Sequence, residues 1–168
     1  MKDKMLIWGA PLADHLGGMD MLEQLIMDGA IEIYPLSHMR GRSICDSIVI
    51  CDECENMNDK LVTLLMSRIE ENSELIFCGD VAQIDSNRFV KNNGIKAMLK
   101  HLSGHPLFGT VKLVKSERGA VAQLCDRILP PKYPSGFLFF ILLLHFKPIN
   151  SFYFIAPNVP AIVIIARE

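Results

Sequence analysis

Residues 47–53 read Ser-Ile-Val-Ile-Cys-Asp-Glu, and this stretch decides the fold. Ile48, Val49 and Ile50 are consecutive β-branched residues with no polar side chain between them, so the strand they predict has no face suited to water. A strand buried on both faces belongs inside a helix-covered sheet, and such sheets are parallel. Asp52 and Glu53 close the run as adjacent carboxylates at the strand's C-terminal end. Residues 75–85, Leu-Ile-Phe-Cys-Gly-Asp-Val-Ala-Gln-Ile-Asp, repeat the arrangement: a short buried strand over 75–78, then Gly79 and Asp80, with Gln83 just beyond. Between the two, Asn58 is placed to cap a helix whose Leu61, Val62, Leu65, Met66 and Ile69 form an apolar face.

The same alternation extends in both directions. Upstream, Met21, Leu22, Leu25 and Ile26 predict a helix that opens on a capping-box-like Asp20 and Glu23 and stops at Gly29. A strand over 31–34 follows, ended by Pro35, and then a polar loop through Arg40, Gly41 and Arg42. Downstream, the Asn93-Gly94 turn leads into a helix carrying Ile95, Met98, Leu99 and Leu102, which Ser103 and Gly104 end. A strand over 111–114 comes next, and Val121, Leu124, Cys125 and Ile128 mark a last helix that Pro130 terminates. Strands alternating with helices predict a doubly wound, parallel α/β sheet. Ligands of such sheets bind beyond the carboxyl ends of the strands, and two of those ends hold the polar clusters, so one shared site is expected.

Composition bounds the possibilities. The chain has 168 residues, half of them apolar, enough for one domain with a core. Its net charge of −2 and pI near 6.2 supply no basic field for nucleic acid. An odd count of five cysteines and no apolar N-terminal signal segment point to a reducing, cytosolic setting. A boundary is expected at Pro130: residues 1–129 interleave charged and apolar side chains, whereas 130–168 are apolar and punctuated by prolines. The greasy run over 137–146 is about half of the ~20 residues that cross a bilayer, and extending it brings in Lys147, Pro148 and Asn150, so a membrane span is disfavoured. The tail is expected to be irregular, an abnormal terminus with no selected structure.

The strand ends carry the chemistry. An apolar strand closed by Asp-Glu is the layout called Walker B in P-loop NTPases, where the first acid holds Mg²⁺ through its water shell and the second polarises the attacking water. Alone, the pattern also fits a solvated strand exit. Gln83, at the second strand end, can both donate to and accept from a γ-phosphate or the water, and the two clusters together weigh against that plainer reading. Ser116-Glu117-Arg118 offers a guanidinium for a phosphate oxygen, or else a cap serine with a surface ion pair. Cys51-x-x-Cys54 invites a zinc or redox reading, but no second Cys or His pair at ligand spacing accompanies it.

In order and wording these segments resemble the PhoH-like family of predicted ATPases. The matching pieces are WGAPLADHL (8–16), IEIYPLSHMRGRS (31–43), IVICDECEN (48–56), SRIEENSELIFCGDVAQID (67–85), NNGI (92–95) and KSERG (115–119). The resemblance implies a partial sheet of P-loop NTPase, RecA- or helicase-like type over 1–129, with ATP and Mg²⁺ as ligands. It implies Asp52 as the metal-associated carboxylate, Glu53 as the base, Gln83 as the phosphate sensor and Arg118 as a charge stabiliser, with Arg40, Arg42 and Arg68 as weaker candidates for a neighbour's nucleotide. It also implies RNA as a partner of some relatives. Two departures stand out. The family's usual Ala-Gln after the acid pair is Cys54-Glu55 here, a third carboxylate near the site. No G-x-x-x-x-G-K-[ST] string occurs in the chain, so the phosphate-cradling half is missing, and the segment is expected not to hydrolyse ATP alone. The alternatives are a non-enzymatic assembly module, completing a site with a P-loop-bearing subunit or within a homo-oligomer, and a gene fragment without function.

Overall fold

The computed structural model describes residues 9–84, 86–113, 137–144 and 162–166. Helix α1 (Ala10–Leu16) carries Pro11 in its first turn, where the missing N–H costs nothing, and ends at left-handed Gly17. Helix α2 (Met19–Met27) opens on Gly18 with no side-chain cap, so the expected Asp20–Glu23 box does not form; Asp20 instead lies in the first turn, where its charge suits the helix dipole. Strand β1 (Ile31–Pro35), strand β2 (Ile48–Cys51) and helix α3 (Asp59–Met66) follow. Asn58 caps α3 as expected, its Oδ1 accepting from Leu61 N at 3.0 Å. Then come β3 (Ser73–Gly79), the short helix α4 (Asn87–Lys91), α5 (Gly94–Leu102) and β4 (Phe108–Leu113). The sequence reading has no counterpart to α1 or α4. It sets the start of β4 three residues late, past the buried Phe108.

Two further strands, β5 (Phe137–Leu144) and β6 (Ile162–Ala166), complete a six-stranded sheet of order β1-β6-β2-β3-β5-β4. The tail is therefore not irregular throughout. Its apolar run is too short for a bilayer, but eight residues in a row are a common length for a strand. The parallel expectation holds for β2 and β3, which pair from Ile48↔Glu74 to Cys51↔Phe77. It fails for the ladders on either side: β6 is antiparallel to both β1 and β2, and β5 to both β3 and β4. Strands β1 to β4 consequently all run in one direction, and the tail strands lie between them the other way. The chain is thus mixed α/β with a small parallel sheet at its centre.

Val49, Cys51, Leu75 and Phe77 are fully buried in that pair, beneath Leu22, Leu65, Ile95 and Met98 from the helices. Each large side chain so buried contributes about 1.5 to 3 kcal/mol. Among the described residues no helix is long and apolar enough to cross a membrane. The expected helix over 121–128, the segment 116–118, Trp8 and Asp85 lie outside the described residues.

Candidate functional site

Because β2 and β3 are parallel and joined through α3, both polar clusters emerge at one edge of the sheet. Asp52 and Glu53 leave β2 just before a 3-10 turn, Cys54–Asn56, and Asp80 leaves β3 before a second, Val81–Gln83. The Glu53 N–H donates to Asp52 Oδ1 at 2.9 Å. Glu53 itself is in the left-handed region, at φ 50° and ψ 35°, a conformation that a glutamate adopts only when its surroundings enforce it. The chain thereby turns sharply at the second acid.

Beneath the surface acids lies a carboxylate with a different task. Glu55 is buried, and its Oε2 accepts from the backbone N–H of Asp80 at 3.1 Å. Space for this comes from Gly79: a Cβ there would stand 2.3 Å from Glu55 Oε2 and 2.9 Å from Cys54 Sγ. Asn93 then donates through Nδ2 to the Glu55 carbonyl at 2.8 Å while its Oδ1 caps α5 at Lys96 N. Gly94 continues the contact, its N–H donating to Met57 O at 2.8 Å. Asp80 in turn accepts through Oδ2 from Gln83 Nε2 at 2.9 Å. A continuous series of hydrogen bonds thus runs from the start of α5 through Glu55 and Asp80 to Gln83, fixing the β3 exit against the β2 exit.

Burial governs the protonation of these groups. It pushes the Asp52 carboxyl up to about 6, with the Glu53 N–H opposing and the Glu53 charge adding to the rise. Glu55 is pushed up to about 8, again by burial first. Cys51 and Cys54 are buried thiols held well above the usual range by desolvation, and Cys78 is pushed up to about 12 for the same reason. Cys51 lies inside β2 and its Sγ donates to Met57 Sδ at 3.3 Å. These are neutral core thiols, unsuited to the thiolate chemistry of a redox motif. Among the described residues no three His, Cys, Asp or Glu side chains are grouped to hold a metal by themselves.

The structure therefore brings Asp52, Glu53 and Gln83 to neighbouring strand ends. It does not bring the three weaker arginines there. Arg42 is engaged elsewhere, its Nη2 at 2.9 Å from Glu32 Oε2 and its guanidinium 4.0 Å from the Tyr34 ring centroid. Arg40 and Arg68 lie along α3, and Arg118 falls outside the described residues. Sequence reasoning missed the supporting roles of Glu55 and Asn93. It noted Glu55 as a third carboxylate near the site, but nothing in a one-dimensional pattern says which side chain of a tight turn folds inward.

Comparison with known proteins places the chain in a family. The model of the family described as PhoH-like protein matches residues 1–129. The chain belongs to the PhoH-like family. It is 37% identical over 130 residues to protein PhoH2 of Thermobispora bispora, covering 76% of this chain and 30% of that protein. It is 36% identical over 137 residues to protein PhoH2 of Mycolicibacterium smegmatis, covering 80% of this chain and 31% of that one. A PhoH-like protein of Bacillus subtilis is 38% identical over 109 residues, 62% of this chain and 34% of its own. The chain thus spans about a third of the length of these PhoH-like relatives. No solved structure matches it.

Proposed function

We propose that this chain carries the metal- and water-directing half of a PhoH-like ATP site, in a P-loop NTPase type of sheet. The observation that supports this most is the shared edge: the Asp52-Glu53 exit of β2 and the Asp80–Gln83 exit of β3 are adjacent in a parallel pair and tied through Glu55 to the Asp80 amide. Asp52, Glu53 and Gln83 offer oxygen ligands, which suit Mg²⁺, a cation that keeps several waters and takes one or two carboxylates together with phosphate oxygens. When bound, Mg²⁺ and ATP supply the γ-phosphoryl group and the charge that neutralises it.

The chain's own residues divide the remaining work. Asp52 orients the water shell of the ion. Glu53, held by its left-handed backbone at the turn, accepts the proton of the attacking water. Gln83, steadied by Asp80, senses the terminal phosphate. The backbone cradle, lysine and hydroxyl of a phosphate loop are not encoded in these 168 residues. Each such charge-assisted contact is worth about 1.5 to 3 kcal/mol, so ATP affinity without them falls by several powers of ten. A P-loop-bearing segment is what would complete this half-site, and a P-loop-bearing chain is the partner we propose for it.

An assay of [γ-³²P]ATP hydrolysis tests the reading. The full chain alone gives no turnover, and mixing it with a PhoH-like chain that bears the phosphate loop but carries Gln in place of its own base restores turnover. Glu53→Gln in this chain removes the restored activity. Turnover by the chain alone that Glu53→Gln abolishes overturns the need for a partner, and restored turnover indifferent to Glu53→Gln overturns the role of Glu53.

A further inference from the structure

Arg40 and Arg42 stand two residues apart in one loop and meet different fates. Arg42 is used up by Glu32 and Tyr34 on β1. Arg40 instead lines, with Lys60 and Arg68, a groove of about 600 Å³ between that loop and α3. The hydroxyls of Thr63 and Ser67 line the same groove, and Asp59 is the single acid among its walls. Among the described residues the Arg42–Glu32 contact is the only ion pair, so no carboxylate neutralises Arg40, Lys60 or Arg68. The Arg68 guanidinium meets only the Ser67 hydroxyl, at 3.2 and 3.3 Å, both long for a charged donor.

In a chain of net charge −2, three unpaired cations converging on one concavity run against the general balance. Cations gathered in this way favour an anion between them. A cleft lined by one sign of charge concentrates counter-ions, and planar guanidiniums match phosphoryl oxygens in pairs. No strand-end residue lines the groove. Arg68 O accepts from Ile44 N at 2.8 Å, and Ile44 bridges to Ile69, which puts the Arg68 end of the groove at the edge where β2 enters the sheet, opposite the Asp52 edge. A volume of this size lies within the range of small-ligand clefts.

We infer that the groove between the Arg40 loop and α3 is a second anion site, which takes a small oligophosphate independently of the strand-end carboxylates. Isothermal titration of the full chain with inorganic pyrophosphate, in low salt and without divalent cations, tests it. Saturable binding is expected, weakened at least tenfold by Arg40→Ala/Arg68→Ala and by the charge reversal Lys60→Glu, which lies on the exposed face of α3 and preserves the fold if the double variant does not. It should be unchanged within twofold by Gln83→Ala. Three outcomes overturn the proposal: no saturable binding, binding indifferent to Lys60→Glu and to the double variant, or binding lost with Gln83→Ala, which would return the anion to the strand-end site. A single-stranded oligonucleotide that binds through the same residues where pyrophosphate does not would also overturn it, since the ligand would then be a phosphodiester chain.

Discussion

Strand β3 has two neighbours, and they differ in kind. On one side β2 runs parallel to it, so both strands leave the sheet at the same edge and both end in polar turns. On the other side β5 runs antiparallel, so at that same edge it is only beginning, with Leu138 opposite Gly79. All three are apolar runs of similar composition. Their chemical use follows from direction, not from that composition, because only a strand ending at the edge delivers a turn there. The helical crossover through α3 gives β2 and β3 a common direction, whereas β4 and β5 meet at adjacent ends, Leu113 opposite Phe137. The site is thus fed from one side of β3, while the other side supplies sheet continuity.

The comparison breaks most decisively at Ile141, which pairs with Ile76 on one side and Gly109 on the other. Ile141→Pro removes a backbone donor from the interior of the sheet and sets a ring against the neighbouring strand. The expected loss is comparable to the ~3 kcal/mol that an interior proline costs a helix. It is read as a lower urea midpoint for the full chain. An unmoved midpoint would mean that β5 adds nothing to the stability of β3, and the sheet would end functionally at β3.

Gly79→Ala probes the other side. The new methyl would overlap Glu55 Oε2 and crowd Cys54 Sγ, both packed and neither at the free end of a long exposed side chain. Overpacking of this kind costs about 1 to 3 kcal/mol. Unlike the proline, it should also release the Asp80 amide, so hydrogen exchange at Asp80 N–H quickens while exchange along the β3–β5 ladder holds. Equal acceleration at both places would show that the two sides of β3 are one cooperative unit.

How much of this was legible beforehand depends on the range of the interaction. The β2 and β3 strands, the Asn58 cap and the neighbouring polar ends of the two strands were readable because each rests on a local pattern: a β-branched run, a capping side chain, an acid at a strand end. The antiparallel tail strands were not, since an apolar run states that it wants burial but not which gap it fills. The inward turn of Glu55 was not legible for a related reason. It depends on the missing side chain of Gly79, twenty-odd residues away on another strand, and only the folded pairing sets the two against each other.

The smallest effect is also the most diagnostic, because it separates Glu55 as a buried tie from Glu55 as a third site acid. The folded chain holds this carboxyl up to about 8 against an ordinary value of 4.5. Between those two values the unfolded chain has released the proton while the folded chain still keeps it. The folded state then binds more protons, so stability falls as pH rises through that window and is level on either side. In Glu55→Gln the carbonyl still accepts from the Asp80 amide and nothing titrates. The variant should therefore match the parent near pH 4 and gain on it steadily toward pH 8, by about 1 kcal/mol or more, as the parent is forced either to ionise a buried acid or to keep its proton at a cost. The remaining slope in the variant should end near pH 6, where Asp52 finishes titrating in the same direction. Urea midpoints at pH 4, 6 and 8 decide. A variant weaker than the parent at every pH by the same amount would show that Glu55 acts as a charged group facing the β2 and β3 exits, and the neutral tie between them would have to be abandoned.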